Sequence, residues 1–254
     1  MKFITILKLS WKVLRLNLHL FTGMALACVY LRNGIHKQAS ASAHFVKWNK
    51  GICNIFHAKI TSHGKIQTEP TLYVMNHISW FDIPVLACQQ PLHFLSKAEI
   101  RNWPFIGWLA DRAGTLFIQR GHHGAAQKSL EEITDCLQSG GSVVIFPEGT
   151  TTDGTSVKKF HGRLLQAAID AQVKIQPIAL RYPHQQGVNP YVPYIDKMTF
   201  MDSLLGLIRA TPLEVELHFL LPIDIHLDQT TDVTNKQLAE LSRNAITKQI
   251  GINQ

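Results

Sequence analysis

Short apolar segments that alternate with helix-like segments constrain the fold of this chain more than any other feature of its sequence. The strand-like segments are rich in β-branched and aromatic residues and cover residues 71–75, 93–96, 115–118, 142–146, 174–180 and 214–220. A strand-like segment followed by a helix-like one, repeated along a chain, is typical of proteins with helices packed on a sheet. The sequence therefore predicts an α/β fold with a mixed central sheet and flanking helices.

The predicted helices lie before, between and after these strands. They cover residues 40–57, 124–138, 159–171 and a last segment from Asp232 or Thr234 to Ile250. Gly140 and Gly141 follow the second of them, as expected at a helix end.

Polar residues follow four of the predicted strands. The segment NHISWFD (76–82) follows the first strand and Lys97 the second, while Arg120 follows the third and the segment FPEGT (146–150) overlaps the end of the fourth. In open α/β sheets, ligands bind beyond the carboxyl ends of the strands. We therefore expect His77, Lys97, Arg120 and Glu148 at one edge of the sheet, where the basic residues suit a phosphate-bearing or polyol head group.

His77 and Asp82 have the chemistry of a general base and its orienting carboxylate. An imidazole accepts a proton near neutral pH, and a carboxylate on its other nitrogen fixes the tautomer. Side chains five positions apart point about 140° away from each other on a helix, so a contact requires His77 to precede the helix that carries Asp82. A histidine and an aspartate at this spacing arise by chance roughly half the time in such a chain, so a core histidine remains the alternative.

The hydroxyl that this pair would activate is expected on the substrate. The chain has no nucleophile-elbow motif, although Ser79 lies close enough in sequence to be an alternative nucleophile.

Residues 1–31 form a predicted membrane anchor ahead of a domain at residues 32–254. Polar residues recur there at steps of three and four, which places them on one narrow helical stripe, and the other faces are apolar. The stripe consists of Thr5, Lys8, Lys12, Arg15 and His19. This pattern predicts an amphipathic or re-entrant helix in a membrane interface, with the lysines reaching towards anionic head groups.

Three other interpretations of the N-terminal segment remain open. A spanning helix over residues 16–31 would be short and has basic residues on both sides. A secretory signal would end at the Ala-Leu-Ala before Cys28, and a buried core helix would pack inside the domain.

Composition narrows the classes of partner. A formal charge of +7 favours an anionic partner, whether nucleic acid, a phosphate-bearing substrate or a membrane surface. The basic residues do not form a patch interleaved with aromatics, so nucleic-acid binding is not expected. The four cysteines lack metal-site spacing, and we expect reduced, buried thiols and no bound metal.

Four motifs together resemble the sequence blocks of the glycerolipid acyltransferase family, which includes 1-acylglycerol-3-phosphate acyltransferase. NHISWFD (76–82) is similar to the family's N-H-x-S-x-x-D block, and GTLFIQR (114–120) to its G-x-x-F-I-x-R block. FPEGT (146–150) matches the third block, and IQPIAL (175–180) is similar to the fourth. The order is also the family's, over about residues 70–182.

The resemblance implies an enzyme with the fold of this family and assigns roles to particular residues. His77 would be the general base and Asp82 its partner in acyl transfer from acyl-CoA or acyl carrier protein, without a cofactor. The substrate-binding residues would be Lys97, Arg120, Glu148, Gly149 and Thr150. The partners would be membrane lipids, and the enzyme would act at the cytoplasmic face of the inner membrane.

The acceptor implied first is 1-acylglycerol-3-phosphate, which would give phosphatidic acid. Many members that use this acceptor carry an arginine directly after FPEGT, where this chain has Thr151. A guanidinium is a common anchor for a phosphomonoester, so lyso-ornithine lipid or another lysophospholipid is the alternative acceptor. A lipid-binding protein without turnover is a more distant alternative.

Overall fold

The computed structural model describes residues 2–30, 39–119, 124–185, 187–210, 212–225 and 233–251. The helices are α1 (Lys2–Tyr30), α2 (Ala39–Ile55), α3 (Asp82–Ala87), α4 (Ile106–Arg112), α5 (Ala125–Gln138), α6 (Gln166–Ala171), α7 (Phe200–Arg209) and α8 (Asn235–Ile250). The strands are β1 (Ala58–Gly64), β2 (Leu72–Met75), β3 (His93–Lys97), β4 (Leu116–Ile118), β5 (Val143–Ile145), β6 (Ile175–Arg181), β7 (Pro183–His184), β8 (Gly187–Val188) and β9 (Leu213–Phe219). Short 3₁₀ helices cover Ala98–Asn102 and Gly162–Leu165.

Seven strands form one mixed sheet in the order β1-β9-β6-β2-β5-β3-β4. Strands β6, β2, β5, β3 and β4 run parallel to one another, whereas β9 is antiparallel to β6 and pairs in parallel with β1. The predicted mixed sheet with flanking helices is therefore confirmed. The parallel strands end at the same edge, which brings together the residues that follow β6, β2 and β5.

Helices cover both faces of the sheet, and the central strand β2 is buried on both. Tyr73 and Met75 contribute to the core beneath α2, α3 and α7, while Leu72 and Val74 contribute to the core beneath α5, α6 and α8. Successive side chains of a strand point to opposite faces, so four consecutive apolar residues are what a strand buried on both sides requires.

The predicted strands all form, each within one or two residues of its expected bounds, and so do the helices at α2, α5 and α8. Helix 159–171 is shorter than expected, because α6 begins only at Gln166, after the 3₁₀ turn at Gly162–Leu165. The chain passes α8 closely at this turn. A Cβ on Gly162 would lie 2.6 Å from the carbonyl oxygen of Asn235.

Helix α1 is continuous and packs against α2. The ring of His19 stacks on Trp48 with 5.2 Å between centroids, and the Trp48 indole Nε1 donates to the His19 carbonyl oxygen at 3.0 Å. Glycines permit this approach, since a Cβ on Gly23 would lie 2.5 Å from Trp48 and one on Gly51 2.3 Å from His19. The predicted N-terminal helix is confirmed, while its separation as an anchor at residues 1–31 stays a prediction.

Two residues of the polar stripe of α1, Lys12 and His19, contact the domain, which differs from their predicted position towards lipid head groups. Lys12 donates from Nζ to the carbonyl oxygen of Ile208 in α7 at 3.4 Å, and His19 Nε2 lies 2.8 Å from the carbonyl oxygen of Trp48. The apolar side is exposed instead, at Trp11, Leu14, Leu18, Phe21 and Val29. Polar groups near the domain find hydrogen-bond partners there, so the apolar residues are left to face outwards.

The part of α1 from Ser10 to Tyr30 is long and apolar enough to cross a membrane. Of its most apolar stretch of 18 residues, 11% is buried in the structure.

All four cysteines are free, and only Cys53 is fully buried. The expectation of buried thiols is therefore wrong for Cys28, which is exposed on α1.

Candidate active site

The loop between β2 and α3 begins with a residue that fixes its position on the sheet. The Asn76 side chain donates from Nδ2 to the carbonyl oxygen of Leu180 at 3.0 Å and accepts from the Leu180 N–H at 2.8 Å. This pair of hydrogen bonds ties the end of β2 to β6. His77 therefore starts from a rigid point at the centre of the sheet edge.

His77 and Asp82 are in contact, as the sequence predicted. His77 Nδ1 lies 2.8 Å from Asp82 Oδ2, and the same oxygen accepts the backbone N–H groups of Ile78 at 2.7 Å and Ser79 at 3.0 Å. Asp82 is the first residue of α3, and His77 precedes that helix. The bend before α3 is what brings together two side chains five positions apart.

A second strand end supplies a partner that sequence reasoning missed. The Tyr182 hydroxyl, just after β6, donates to Asp82 Oδ1 at 2.7 Å, and both residues are buried. Burial raises the pKa of Tyr182 well above its usual value, and the negative charge of Asp82 raises it further. Tyr182 thus remains a donor, and its place two residues after a predicted strand was the only sequence signal for it.

Glu148 supports the same loop from β5. Its Oε1 accepts the N–H of His77 at 2.8 Å and its Oε2 accepts the N–H of Lys158 at 2.8 Å. Glu148 is 4% exposed, and burial raises its pKa, against the opposing effect of the two N–H donors. The geometry gives Glu148 a bracing role that the motif did not predict, and its contact with a substrate stays a prediction.

The imidazole ring of His77 is held by stacking on another ring and is partly exposed to solvent. It stacks on Phe146 with 3.9 Å between centroids, and 19% of its side chain is exposed. Thr152 donates from its N–H to the His77 carbonyl oxygen at 2.8 Å. Since Nδ1 is taken by Asp82, Nε2 is the nitrogen left for a substrate, and it has no hydrogen-bond partner among the described residues.

Two further predicted binding residues lie beside this core, and a third lies at the end of a more distant strand. Gly149 turns the chain with φ +70°, a conformation that favours glycine, and Thr150 is exposed beside it. Lys97 is exposed at the end of β3, with β5 between it and β2. Arg120 lies outside the described residues.

The alternative nucleophile is less compatible with the geometry. Ser79 is fully buried and its Oγ accepts the N–H of Phe81 at 3.4 Å, which does not suit a nucleophile that must reach a substrate. In the described part of the chain, no group of three His, Cys, Asp or Glu side chains could hold a metal ion.

The class of site is an imidazole held by a carboxylate at the strand ends of an α/β domain, with the nearest serine buried. Such a site suits removal of a proton from a hydroxyl of a bound molecule rather than from one of the protein's own.

Comparison with known proteins agrees with this class. The acyltransferase family model matches residues 58–181. The lyso-ornithine lipid O-acyltransferase of Pseudomonas aeruginosa is 40% identical over 176 residues, which cover 69% of this chain and 68% of that protein. The enzyme of the same name from Brucella abortus is 31% identical over 78% of this chain and 81% of its own.

Two further comparisons concern enzymes named for a different acceptor. The 1-acyl-sn-glycerol-3-phosphate acyltransferase of Neisseria gonorrhoeae is 31% identical over 60% of each chain. The crystal structure of the 1-acyl-sn-glycerophosphate acyltransferase of Thermotoga maritima superimposes with a TM-score of 0.72 at 17% identity, covering 98% of this chain and 95% of that one. At that identity, the structural match supports the fold alone.

The chain belongs to the acyltransferase family that these proteins represent. The resemblance drawn from the four motifs is confirmed.

Proposed function

We propose that this protein transfers a fatty acyl chain from acyl-CoA or acyl carrier protein to the free hydroxyl of a lyso-lipid. The observation that carries the proposal is the 2.8 Å contact between His77 Nδ1 and Asp82 Oδ2, which leaves Nε2 for the acceptor. The names of its relatives support a lipid acceptor.

In this reaction, His77 Nε2 removes the proton of the acceptor hydroxyl while its oxygen attacks the thioester carbonyl carbon. Asp82 stabilises the imidazolium that forms, and Tyr182 and two backbone N–H groups hold the carboxylate in place. The tetrahedral intermediate then collapses. The C–S bond breaks, the thiolate takes the proton from His77, and an ester and a free thiol are the products.

Lyso-ornithine lipid is the acceptor that we favour. Thr151 stands where many enzymes acting on lysophosphatidate have an arginine, and its hydroxyl donates to the carbonyl oxygen of Tyr194. This position therefore supplies no cation for a phosphomonoester. The names of the Pseudomonas and Brucella relatives support the same acceptor.

1-Acylglycerol-3-phosphate, which would give phosphatidic acid, is the second candidate. The net charge of +7 favours an anionic acceptor, and the Neisseria relative is named for this lipid. Lys97 is a predicted binding residue that would suit its phosphate.

We place the enzyme at the cytoplasmic face of the inner membrane, where acyl-CoA and acyl carrier protein are found. The exposed apolar side of α1 supports membrane association, as does Phe105 before α4, whose ring centroid lies 6.4 Å from that of Phe21. Hydrophobic side chains exposed on neighbouring elements are typical of lipid-facing surfaces.

An acceptor panel tests the function. Purified protein is incubated with an acyl thioester and, separately, with lyso-ornithine lipid, 1-acylglycerol-3-phosphate and lysophosphatidylcholine, and the esters are measured by mass spectrometry. We expect the highest kcat/KM with lyso-ornithine lipid. Acylation of none of them would support the alternative of a lipid-binding protein without turnover.

A further inference from the structure

A cavity of about 620 Å³ lies next to the candidate active site and has no part in the mechanism above. Its lining combines two carboxylates, one guanidinium, one buried amide and apolar side chains. The residues that matter are Asp153, Asn189, Tyr191, Asp202, Leu205 and Arg209.

Two walls of the cavity are attached to the backbone that carries His77. Asp153 follows Thr152, whose N–H donates to the His77 carbonyl oxygen at 2.8 Å. The loop that contributes Tyr191 continues to Tyr194, whose N–H donates to the carbonyl oxygen of Ile78 at 2.9 Å. The cavity is therefore adjacent to the catalytic loop.

The third wall belongs to α7, which contributes Asp202, Leu205 and Arg209. Lys12 of α1 donates to the carbonyl oxygen of Ile208 on the same helix. The cavity thus lies between the catalytic loop and an element in contact with the N-terminal helix. A lipid head group would occupy this position if its chains lay along α1.

The carboxylates at the cavity are ionised and each has one oxygen available. Hydrogen bonds from Thr155 lower the pKa of Asp153, and hydrogen bonds from Thr199 lower that of Asp202. These bonds use Oδ1 of Asp153 and Oδ2 of Asp202. The second oxygen of each carboxylate makes no hydrogen bond within the described part of the chain.

Asn189 is a buried polar residue whose donor is unused. It is 4% exposed and lines the cavity. Its Oδ1 accepts the N–H of Tyr191 at 3.1 Å, while its Nδ2 has no partner among the described residues. The residue is buried but its Nδ2 atom is accessible rather than enclosed by protein, so this donor is available to a ligand in the cavity that accepts from it.

We propose that this cavity binds the zwitterionic head group of an amino-acid-containing lyso-lipid, with its ammonium at Asp153 and Asp202 and its carboxylate at Arg209 and Asn189 Nδ2. The proposal rests on the proposed function. Ornithine has one carboxyl and two amino groups, so an ornithine lipid with one acylated amine keeps both charges. A dianionic phosphomonoester would be repelled by the two carboxylates.

The test compares kcat/KM of Asp153→Asn, Asp202→Asn and Arg209→Gln on lyso-ornithine lipid and on 1-acylglycerol-3-phosphate. Each variant should lose about tenfold on the ornithine lipid, the size expected for one charge-assisted hydrogen bond. On the phosphate lipid, both aspartate variants should stay within about twofold of wild type or gain activity. The amide introduced by Asp202→Asn keeps an oxygen that can cap α7, and circular dichroism checks folding.

Asp196→Asn is the matched control. It removes the same charge from an exposed position near the cavity that does not line it, and its φ of +56° suits asparagine. The proposal would be overturned if Asp196→Asn lost as much kcat/KM on the ornithine lipid as the cavity variants do. It would also be overturned if the aspartate variants lost as much kcat/KM on the phosphate lipid as on the ornithine lipid. Either result would leave the acyltransferase function intact. A wild-type enzyme that acylated no lyso-lipid would instead overturn the proposed function.

Discussion

At the scale of single residues, the site depends on Asp82, because one buried carboxylate accepts from four donors. These are His77 Nδ1, the N–H groups of Ile78 and Ser79, and the Tyr182 hydroxyl. The donors come from the loop between β2 and α3 and from the end of β6. The imidazole therefore has one orientation, set by contacts from two strand ends.

Tyr182→Phe tests this orientation. The substitution leaves a buried carboxylate oxygen without its donor, so we expect about 1–3 kcal/mol less stability to unfolding and about tenfold lower kcat, with acceptor KM unchanged. Denaturant unfolding and steady-state kinetics measure the two effects.

Tyr73→Phe is the control for that variant. Tyr73 is equally buried in the neighbouring strand β2, and its hydroxyl donates to the carbonyl oxygen of Gln67 at 3.0 Å, away from His77. It should lose stability but keep kcat. If both variants lost kcat equally, Tyr182 would have no specific role in positioning.

Glu148→Gln separates bracing from substrate binding. An amide offers one oxygen and one NH₂ where two backbone N–H groups need acceptors, which should cost about 1–3 kcal/mol of stability. If Glu148 only supports the loop that carries His77, the substitution should lower kcat and leave the KM for the acceptor within about twofold of wild type. A large rise in KM with unchanged stability would favour the head-group contact that the motif predicts. Glu240→Gln, exposed on α8, is the control.

The sequence predicted the contact between His77 and Asp82 but not the residues that support it. His77 and Asp82 share one short motif, so both the contact and the bend were predictable. Tyr182 is 100 residues from Asp82, and only the order of the strands brings them together. Glu148 was recognised in its motif, but a motif does not reveal that its partners are backbone N–H groups.

At the scale of elements, α1 shows how an amphipathic helix can be assigned correctly and oriented wrongly. The sequence distinguishes a polar stripe from an apolar surface, but it does not show which of the two faces the membrane and which faces the domain. In the structure, Lys12 and His19 bond to the domain, while Leu14, Leu18 and Phe21 are exposed along one side. The periodicity of the sequence identifies the polar stripe, whereas tertiary packing decides what the stripe contacts.

Leu18→Asp tests the role of the exposed side. Leu18 is 56% exposed, and loss of its burial in lipid, together with an added negative charge, should lower binding to anionic vesicles by about tenfold or more. Vesicle flotation measures the bound fraction. Leu241→Asp makes the same change at an exposed leucine of α8, which packs on the opposite face of the sheet, and should bind like wild type.

Equal flotation of the two leucine variants would contradict membrane binding through this side of α1. Point substitutions are cleaner than deletion of residues 1–31. Deletion would also expose Trp48 of α2, whose ring stacks on His19.

Strand β1 and helix α7 are among the elements that the sequence analysis did not predict. Strand β1 lies at the sheet edge and is mostly exposed, so its alternation of apolar and polar residues is weak. Helix α7 begins with a capping box between Thr199 and Asp202, which is a readable signal in the sequence. The strands of the sheet centre were predictable because burial on both faces demands continuous apolar runs.

At the scale of the whole molecule, stability should depend on pH through His93. Burial lowers the pKa of His93, against a hydrogen bond with the Gly114 carbonyl oxygen. An unfolded histidine titrates near pH 6.5, so the unfolded chain binds a proton more readily than the folded one. The stabilisation is complete above that pH and is lost as pH falls through the lowered folded pKa.

The melting temperature should therefore fall between about pH 7.5 and pH 5.5, and fall less in His93→Gln. His184→Gln, at an exposed histidine, should follow the wild-type profile. Identical profiles for all three proteins would exclude His93 as the cause of acid sensitivity.

The central claim is that His77 activates the hydroxyl of a lyso-lipid for attack on a thioester. The most direct measurement follows thiol release and ester formation together, with acyl-CoA and lyso-ornithine lipid, for the wild type and His77→Asn. We predict that the variant folds, binds vesicles normally and loses both products by about 10²–10⁴-fold, the usual contribution of a general base. A folded variant that formed the ester within about threefold of the wild-type rate would contradict the account.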